Sequence, residues 1–259
     1  MEESVLIEKR EKVSIIKLNL PQKLNALEKK LRIDLKSALK QVRDDTETRA
    51  VVLTGQGKAF CAGGSLEELK EGMNAVNGVN LMMDYNEIIT MITSMEKPII
   101  AAVNGIAVGA GLSLALACDI VISSSGAVFA SVFSKVGLVP DMGASYFLPR
   151  AVGMHRAKEL IFTSRMIKAE EAMQMGIVNQ VVNPEELEAR AYDLARNLAD
   201  GPTATFGLGK SILSRSLESN LQDILQYETF AQSICFQSQD HKESVQAFYE
   251  KRTPVFTGK

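Results

Sequence analysis

Lys97-Pro98-Ile99-Ile100-Ala101-Ala102-Val103-Asn104-Gly105-Ile106-Ala107-Val108-Gly109-Ala110-Gly111-Leu112 is the stretch whose reading decides the fold. A run of β-branched and small apolar residues meets an Asn-Gly turn signal, and Gly109-Ala110-Gly111 then opens a second apolar run ending at Cys118-Asp119. The pattern predicts a buried strand, a tight turn, a short extended piece and a helix. The first backbone N–H groups of such a helix have no intrahelical partner and, with the helix dipole behind them, suit negative charge. Small residues there let a ligand approach the backbone. A membrane helix is the rival reading, since Asp119 is the one charged residue between Pro98 and Ser123. The two turn signals cut the run into pieces too short to span a bilayer, and no basic cluster or aromatic belt flanks it.

Outward from this stretch the chain reads as strand, helix, strand. Residues 5–20 suggest a hairpin, and Asn25 with Glu28 suggests a capped helix start. Leu31, Leu35, Ala38, Leu39 and Val42 then share one helical face. Ala50–Gly55 is a short continuous apolar strand, and a stacked α/β core with right-handed crossovers follows. A second small-residue turn, Cys61-Ala62-Gly63-Gly64-Ser65-Leu66, leads into another helix and repeats the open N–H arrangement. It lacks the Lys-Ser/Thr of a phosphate-binding P-loop, and Gly109-Ala110-Gly111 completes no dinucleotide fingerprint. Ala169–Met175 reads as a helix closed by Gly176, with a strand over 177–182 and a Pro-initiated helix after Asn183. Beyond Pro202 the β signals vanish, and helical patterns cover 204–217, 221–237 and 241–251. Apolar residues on this tail, among them Ile224, Leu225, Phe230 and Ile234, suggest packing against another subunit.

Composition narrows the class. The chain has 259 residues, 46% hydrophobic, with a net charge of −2. That suffices for one large domain with an appendage and recommends neither a nucleic-acid nor a membrane partner. Cys61, Cys118 and Cys235 lack metal-ligand spacing and read as reduced thiols of a cytoplasmic protein. With two histidines, His155 and His241, in unrelated contexts, a zinc site or a Ser-His-Asp triad is not expected. No signal-peptide core is expected from Met-Glu-Glu-Ser, and Thr-Gly-Lys is no peroxisomal address. One acid stands out. Asp141 follows Pro140 among Leu138, Val139 and Met142, placed either to cap a helix over 144–148 or to do chemistry in an apolar setting.

Six segments in order resemble the enoyl-CoA hydratase/isomerase (crotonase) superfamily over essentially the whole chain. They are Leu24-Asn25-Ala26-Leu27, Ala59-Phe60-Cys61-Ala62-Gly63-Gly64, Pro98–Gly105, Gly109-Ala110-Gly111, Ala169-Glu170-Glu171-Ala172 and Phe248–Phe256. The resemblance implies an α/β fold: a ββα superhelix core over 1–200 holding an acyl-CoA site, and a C-terminal helical trimerisation region over 201–259. It implies a homotrimer or dimer of trimers, no metal, and no cofactor beyond the coenzyme A carried by the substrate. By position, Gly64 and Ala110 would donate the two N–H groups that hold an enolate oxygen. Losing one such donor typically costs about 3–4 kcal/mol of transition-state stabilisation. Ala62 would meet the adenine through its carbonyl. Ser65, Leu66, Gly109, Phe133 and Leu138 would contact substrate. Lys23, and Lys251 from a neighbouring subunit, would either meet CoA phosphates or stand as solvated lysines.

The departure from the family pattern is informative. Where hydratases carry two water-handling glutamates, this chain has Ser113 and Phe133, and Asp141 stands where Δ3,Δ2-enoyl-CoA isomerases and the phenylacetate-pathway isomerase place a single acid. Syn addition of water needs carboxylates at both positions, which Ser and Phe cannot replace. The expectation is a double-bond isomerase using Asp141. Alternatives are a hydratase, a ring-opening isomerase, a hydrolase or a dehalogenase-like reaction through the same enolate. A non-catalytic acyl-CoA- or RNA-binding scaffold is the reading from another class.

Overall fold

A computed structural model describes residues 3–70 and 73–259, the side chains of Leu66 and Leu69 excepted. Strands β1 (Val5–Arg10) and β2 (Val13–Leu18) form an antiparallel hairpin, followed by α1 (Lys29–Asp44), β3 (Ala50–Gly55) and β4 (Ala59–Cys61). Helices α2 (Leu66–Lys70) and α3 (Ala75–Ser94) lead to β5 (Ile99–Val103), β6 (Ile106–Val108) and α4 (Ala110–Ala117). Next come β7 (Ile120–Ser124), β8 (Val128–Ala130), a 3₁₀ turn over Phe133–Val136, α5 (Ala144–Val152) and α6 (Met154–Thr163). The chain closes with β9 (Ile167–Lys168), α7 (Ala169–Met175), β10 (Gln180–Val182), α8 (Leu187–Ala199), α9 (Thr203–Leu213), α10 (Leu221–Cys235) and α11 (Gln239–Glu250). No helix among the described residues is long and apolar enough to cross a membrane.

The strands divide between two sheets in a regular way. One is ordered β1-β2-β3-β5-β7-β10 and the other β4-β6-β8-β9. The pairs β3/β4, β5/β6 and β7/β8 each place one strand in each sheet before a helix turns the chain back. This is the expected ββα spiral, and its consequence is positional: β4 and β6 lie parallel, pairing Cys61 with Ala107, so the turns after them emerge side by side.

The continuous apolar character of β5 follows from burial on both faces. Ile99, Ala101 and Val103 pack with Ile16, Leu53 and the core faces of α1, α3 and α4. Ile100 and Ala102 pack on the opposite face with Ile15, Val52 and α8, which presents Leu187, Ala191, Ala195 and Ala199 at four-residue spacing. All five α1 residues read as a shared face are buried.

Two expectations are corrected. Asn25 does not cap α1, whose N-cap is Glu28. Asn25 is instead fully buried in a left-handed conformation, φ 55°. Its Oδ1 accepts from the Leu20 N–H at 2.8 Å, while Nδ2 donates to the carbonyls of Gln56 at 3.0 Å and Ala59 at 2.7 Å. A short amide that tolerates the left-handed region clasps the β3–β4 crossover better than it would cap a helix. The strand expected over 177–182 is shorter, since Ile177 and Val178 are buried in the turn after α7 before β10 begins at Gln180.

Polar links anchor the C-terminal region on the core, with Arg49 donating to Thr203 and the Phe256 carbonyl, Tyr146 to the Ser214 carbonyl and Arg150 to Glu218. Lys210 Nζ on α9 donates to Asp119 and to the Ile92 carbonyl, each at 2.9 Å, and Asp119 in turn accepts from the Ile99 N–H. Large apolar side chains of this region, including Leu217, Leu221, Phe230, Phe248 and Tyr249, stay exposed.

Candidate active site

The two small-residue turns meet. A Cβ on Gly63 would lie 2.9 Å from the Val108 carbonyl oxygen and 3.4 Å from the Ala110 nitrogen, so no side chain fits between them. Gly109 takes φ 55°, ψ −126°, a conformation that L-residues rarely adopt, and it precedes α4 without a side-chain cap. The first turn of α4 is therefore open at its positive end. Among the described residues, the N–H groups of Gly64 and Ala110 donate to no protein acceptor. Two adjacent free donors at the end of a buried helix can stabilise an oxyanion.

A cavity of about 270 Å³ lies in front of them. Ala62, Gly64, Ser65, Gly109 and Ala110 form one side. Phe133, Val136 and Leu138 form the second, and Leu81, Met82 and Tyr85 of α3 the third. Its ionisable groups among the described residues are Asp141, Glu68, Lys135 and Tyr85. The Tyr85 hydroxyl donates to the Leu27 carbonyl at 3.2 Å, and burial pushes its pKa up.

The two carboxylates of the cavity differ sharply. Glu68 is committed: one oxygen accepts from the Lys29 N–H at 2.7 Å and the other from Arg32 at 2.9 Å. Arg32 is itself buried at 4% exposure, bonded to Asp84 and the Leu27 carbonyl, and lies 4.9 Å over the Tyr85 ring. Asp141 has no such partner. Its Oδ1 is buried without a hydrogen bond among the described residues, and burial alone pushes its pKa up to about 6. The capping alternative does not apply, because Gly143 is the N-cap of α5 and no side chain caps it. Asp141 has the character of a base poised near neutral pH.

The structure therefore gathers Ala62, Gly64, Ser65, Gly109, Ala110, Phe133, Leu138 and Asp141 around one space. Leu66 begins α2, and its side chain lies outside the described residues. Lys23 does not reach the cavity. It pairs at the surface with Glu28 at 2.5 Å and Glu67 at 3.2 Å. Lys251 is the exposed left-handed C-cap of α11 and does not line this chain's own cavity. The sequence points to the Gly63 turn and, around residues 67–80 and 82–91, to a pocket region that contains Glu68, Met82 and Tyr85, but it gives Val132, Lys135 and the Arg32 brace no role. Methionines of that region, Met82 among them, suggest either an adaptable apolar acyl site or core packing, and the structure sets Met82 with Leu81 and Tyr85 of α3 on the cavity wall. A larger groove of about 570 Å³ between α9 and α5, lined in part by Asp119 and Lys210, shares no residue with this cavity.

Comparison with known proteins agrees with this geometry. The sequence profile described as enoyl-CoA hydratase/isomerase matches residues 8–259. The short-chain-enoyl-CoA hydratase of Clostridium acetobutylicum is 38% identical over 250 residues, covering 96% of this chain and 95% of that one. The 1,2-epoxyphenylacetyl-CoA isomerase of Escherichia coli K12 is 38% identical over 262 residues, covering both chains fully. The crystal structure of an enoyl-CoA hydratase from Bacillus anthracis superposes with a TM-score of 0.94 at 36% identity, covering 99% of this chain and 100% of that one.

Proposed function

The chain belongs to the enoyl-CoA hydratase/isomerase family, and from that premise we propose that this acyl-CoA enzyme is a double-bond isomerase. The carrying observation is that one carboxylate of the cavity, Asp141, has no hydrogen-bond partner among the described residues, while the other, Glu68, is held by Arg32 and a backbone N–H. The thioester carbonyl oxygen sits between the N–H groups of Gly64 and Ala110. Asp141 takes a proton from C2 of a 3-enoyl-CoA, the two donors hold the dienolate oxygen, and the same carboxyl returns the proton to C4. Phe133 and Leu138 flank the acyl group, and Ala62 offers its carbonyl to the adenine. Coenzyme A arrives with the substrate, so no separate cofactor takes part. The exposed apolar faces of α10 and α11 assemble a homotrimer, where Lys251 serves a neighbouring site.

Hydration is the second reading, favoured by the names of most relatives and by the presence of a second carboxylate, Glu68, in the cavity. The two separate on a 3-enoyl-CoA deuterated at C2. An isomerase yields 2-enoyl-CoA with label at C4, whereas a hydratase leaves that substrate unchanged and adds water to the 2-enoyl ester.

A further inference from the structure

We infer that Ser113 is a positioning residue, tying the turn that carries Asp141 to the helix that presents the Ala110 N–H. Ser113 lies in the first turn of α4 and is fully buried. A serine on a helix ordinarily returns its proton to the carbonyl one turn back, and here that acceptor, Gly109, is 3.4 Å away. The shorter bond leaves the helix: Ser113 Oγ donates to the Asp141 carbonyl at 3.0 Å, across twenty-eight residues of chain. A hydroxyl has one proton to give, so the cross-element bond is the better satisfied of the two.

The turn it holds needs holding. Immediately after Asp141 the chain takes two consecutive left-handed residues, Met142 at φ 48° and Gly143 at φ 79°. Met142 is buried, and a non-glycine residue persists in this region only where its surroundings over-determine it. The Asp141 carbonyl also accepts from the Ala144 N–H at 2.9 Å, so two donors from two elements fix it. One link thus sets the spacing between the group that removes a proton and the donor that stabilises the resulting charge. Misplacement of reacting groups by about 1 Å costs on the order of a hundredfold in rate.

The role of Asp141 in this inference rests on the isomerase reading; the tether is a matter of geometry alone. The test compares wild type, Ser113→Ala and Ser113→Thr by two readouts. The first is the ¹³C-detected titration of the Asp141 carboxyl in ligand-free protein. Glu68 from α2, Tyr85 from α3 and Lys135 from the 3₁₀ turn face the same cavity and are unchanged in every variant. The Ala variant is expected to titrate nearer an ordinary carboxyl, because the loosened turn solvates it, and Thr to restore the wild-type midpoint. The second readout is turnover of a 3-enoyl-CoA: kcat of Ser113→Ala falls about ten- to a hundredfold with KM within about threefold, and Thr recovers it. An unchanged titration in the Ala variant overturns the tether, as does wild-type kcat in that variant while Asp141→Asn is inactive. If Asp141→Asn still isomerises, the isomerase reading is what fails, and the titration still decides the tether.

Discussion

Burial pushes the pKa of Asp141, whose Oδ1 has no hydrogen bond among the described residues, up to about 6, and that displacement has consequences of definite sign. The carboxyl acts as a base only when ionised, so kcat/KM for isomerisation rises with pH through about 6 and levels above it. The same displacement bears on stability. Between the ordinary carboxylate value of 3.8 and about 6, the folded state retains a proton that the unfolded chain has lost. Stability therefore falls as pH rises across that window, by up to about 3 kcal/mol. Asp141→Asn removes this contribution. The variant is predicted to be inactive yet more stable than wild type at pH 7.5, by roughly 1–3 kcal/mol in urea titrations, with the difference shrinking toward pH 4. Equal stability at both pH values would contradict the buried, unpartnered carboxylate. At this scale the sequence was legible where chemistry constrains residue type. Asp141 between Pro140 and Met142 could be singled out, and so could the small residues at 62–64 and 109–111. Ser113 registered only as the lack of an acid, because a hydroxyl's partner across twenty-eight residues leaves no trace in local spacing.

At the scale of elements, the site depends on how each strand hands the chain from one sheet to the other. Asn25 and Asn104 perform that service for β3 and β4. Asn104 accepts from the Gly55 N–H at 3.1 Å and donates to the carbonyls of Gly57 and Ala59, the latter shared with Asn25. Asn25→Ala takes this partner from the half-buried Leu20 N–H and Gln56 carbonyl and leaves the buried Ala59 carbonyl to Asn104 alone. It is predicted to cost about 2–4 kcal/mol of stability, with Asn25→Asp intermediate, as thermal or urea unfolding would show. A loss below about 0.5 kcal/mol would mean that water replaces the amide at that site. Apolar runs and helical periodicity revealed the strands and helices themselves. The two asparagines were read from local rules as a cap and a turn signal, whereas their side-chain partners lie up to forty-nine residues away in sequence. Arg32 escaped notice for the same reason: a buried arginine held by Asp84 and Glu68 looks, in sequence, like any surface residue of an amphipathic helix.

For the whole molecule, the ββα spiral explains why two glycine-containing turns forty-five residues apart can face one cavity, since β4 and β6 are neighbours in the second sheet. It also leaves apolar surface without a covering, with Phe230 61% and Phe248 79% exposed on the C-terminal helices. The proposed homotrimer predicts a sedimentation mass near three times, or for a dimer of trimers six times, the 28.3 kDa chain. Phe230→Asp is predicted to shift that mass toward the monomer, and a wild-type monomer at micromolar concentration would contradict the assembly. The family resemblance carried the ββα spiral, whereas the order of strands in the two sheets was not legible, because periodicity shows a strand but not its neighbour. The most direct test of the single-base account is a paired assay of 3-enoyl-CoA and 2-enoyl-CoA with wild type and Asp141→Asn. The account predicts conversion of the 3-enoyl ester by wild type and a loss of at least about a hundredfold in the variant, with binding of the CoA ester retained. Robust hydration of the 2-enoyl ester that survives in Asp141→Asn would contradict it and assign the chemistry to another group.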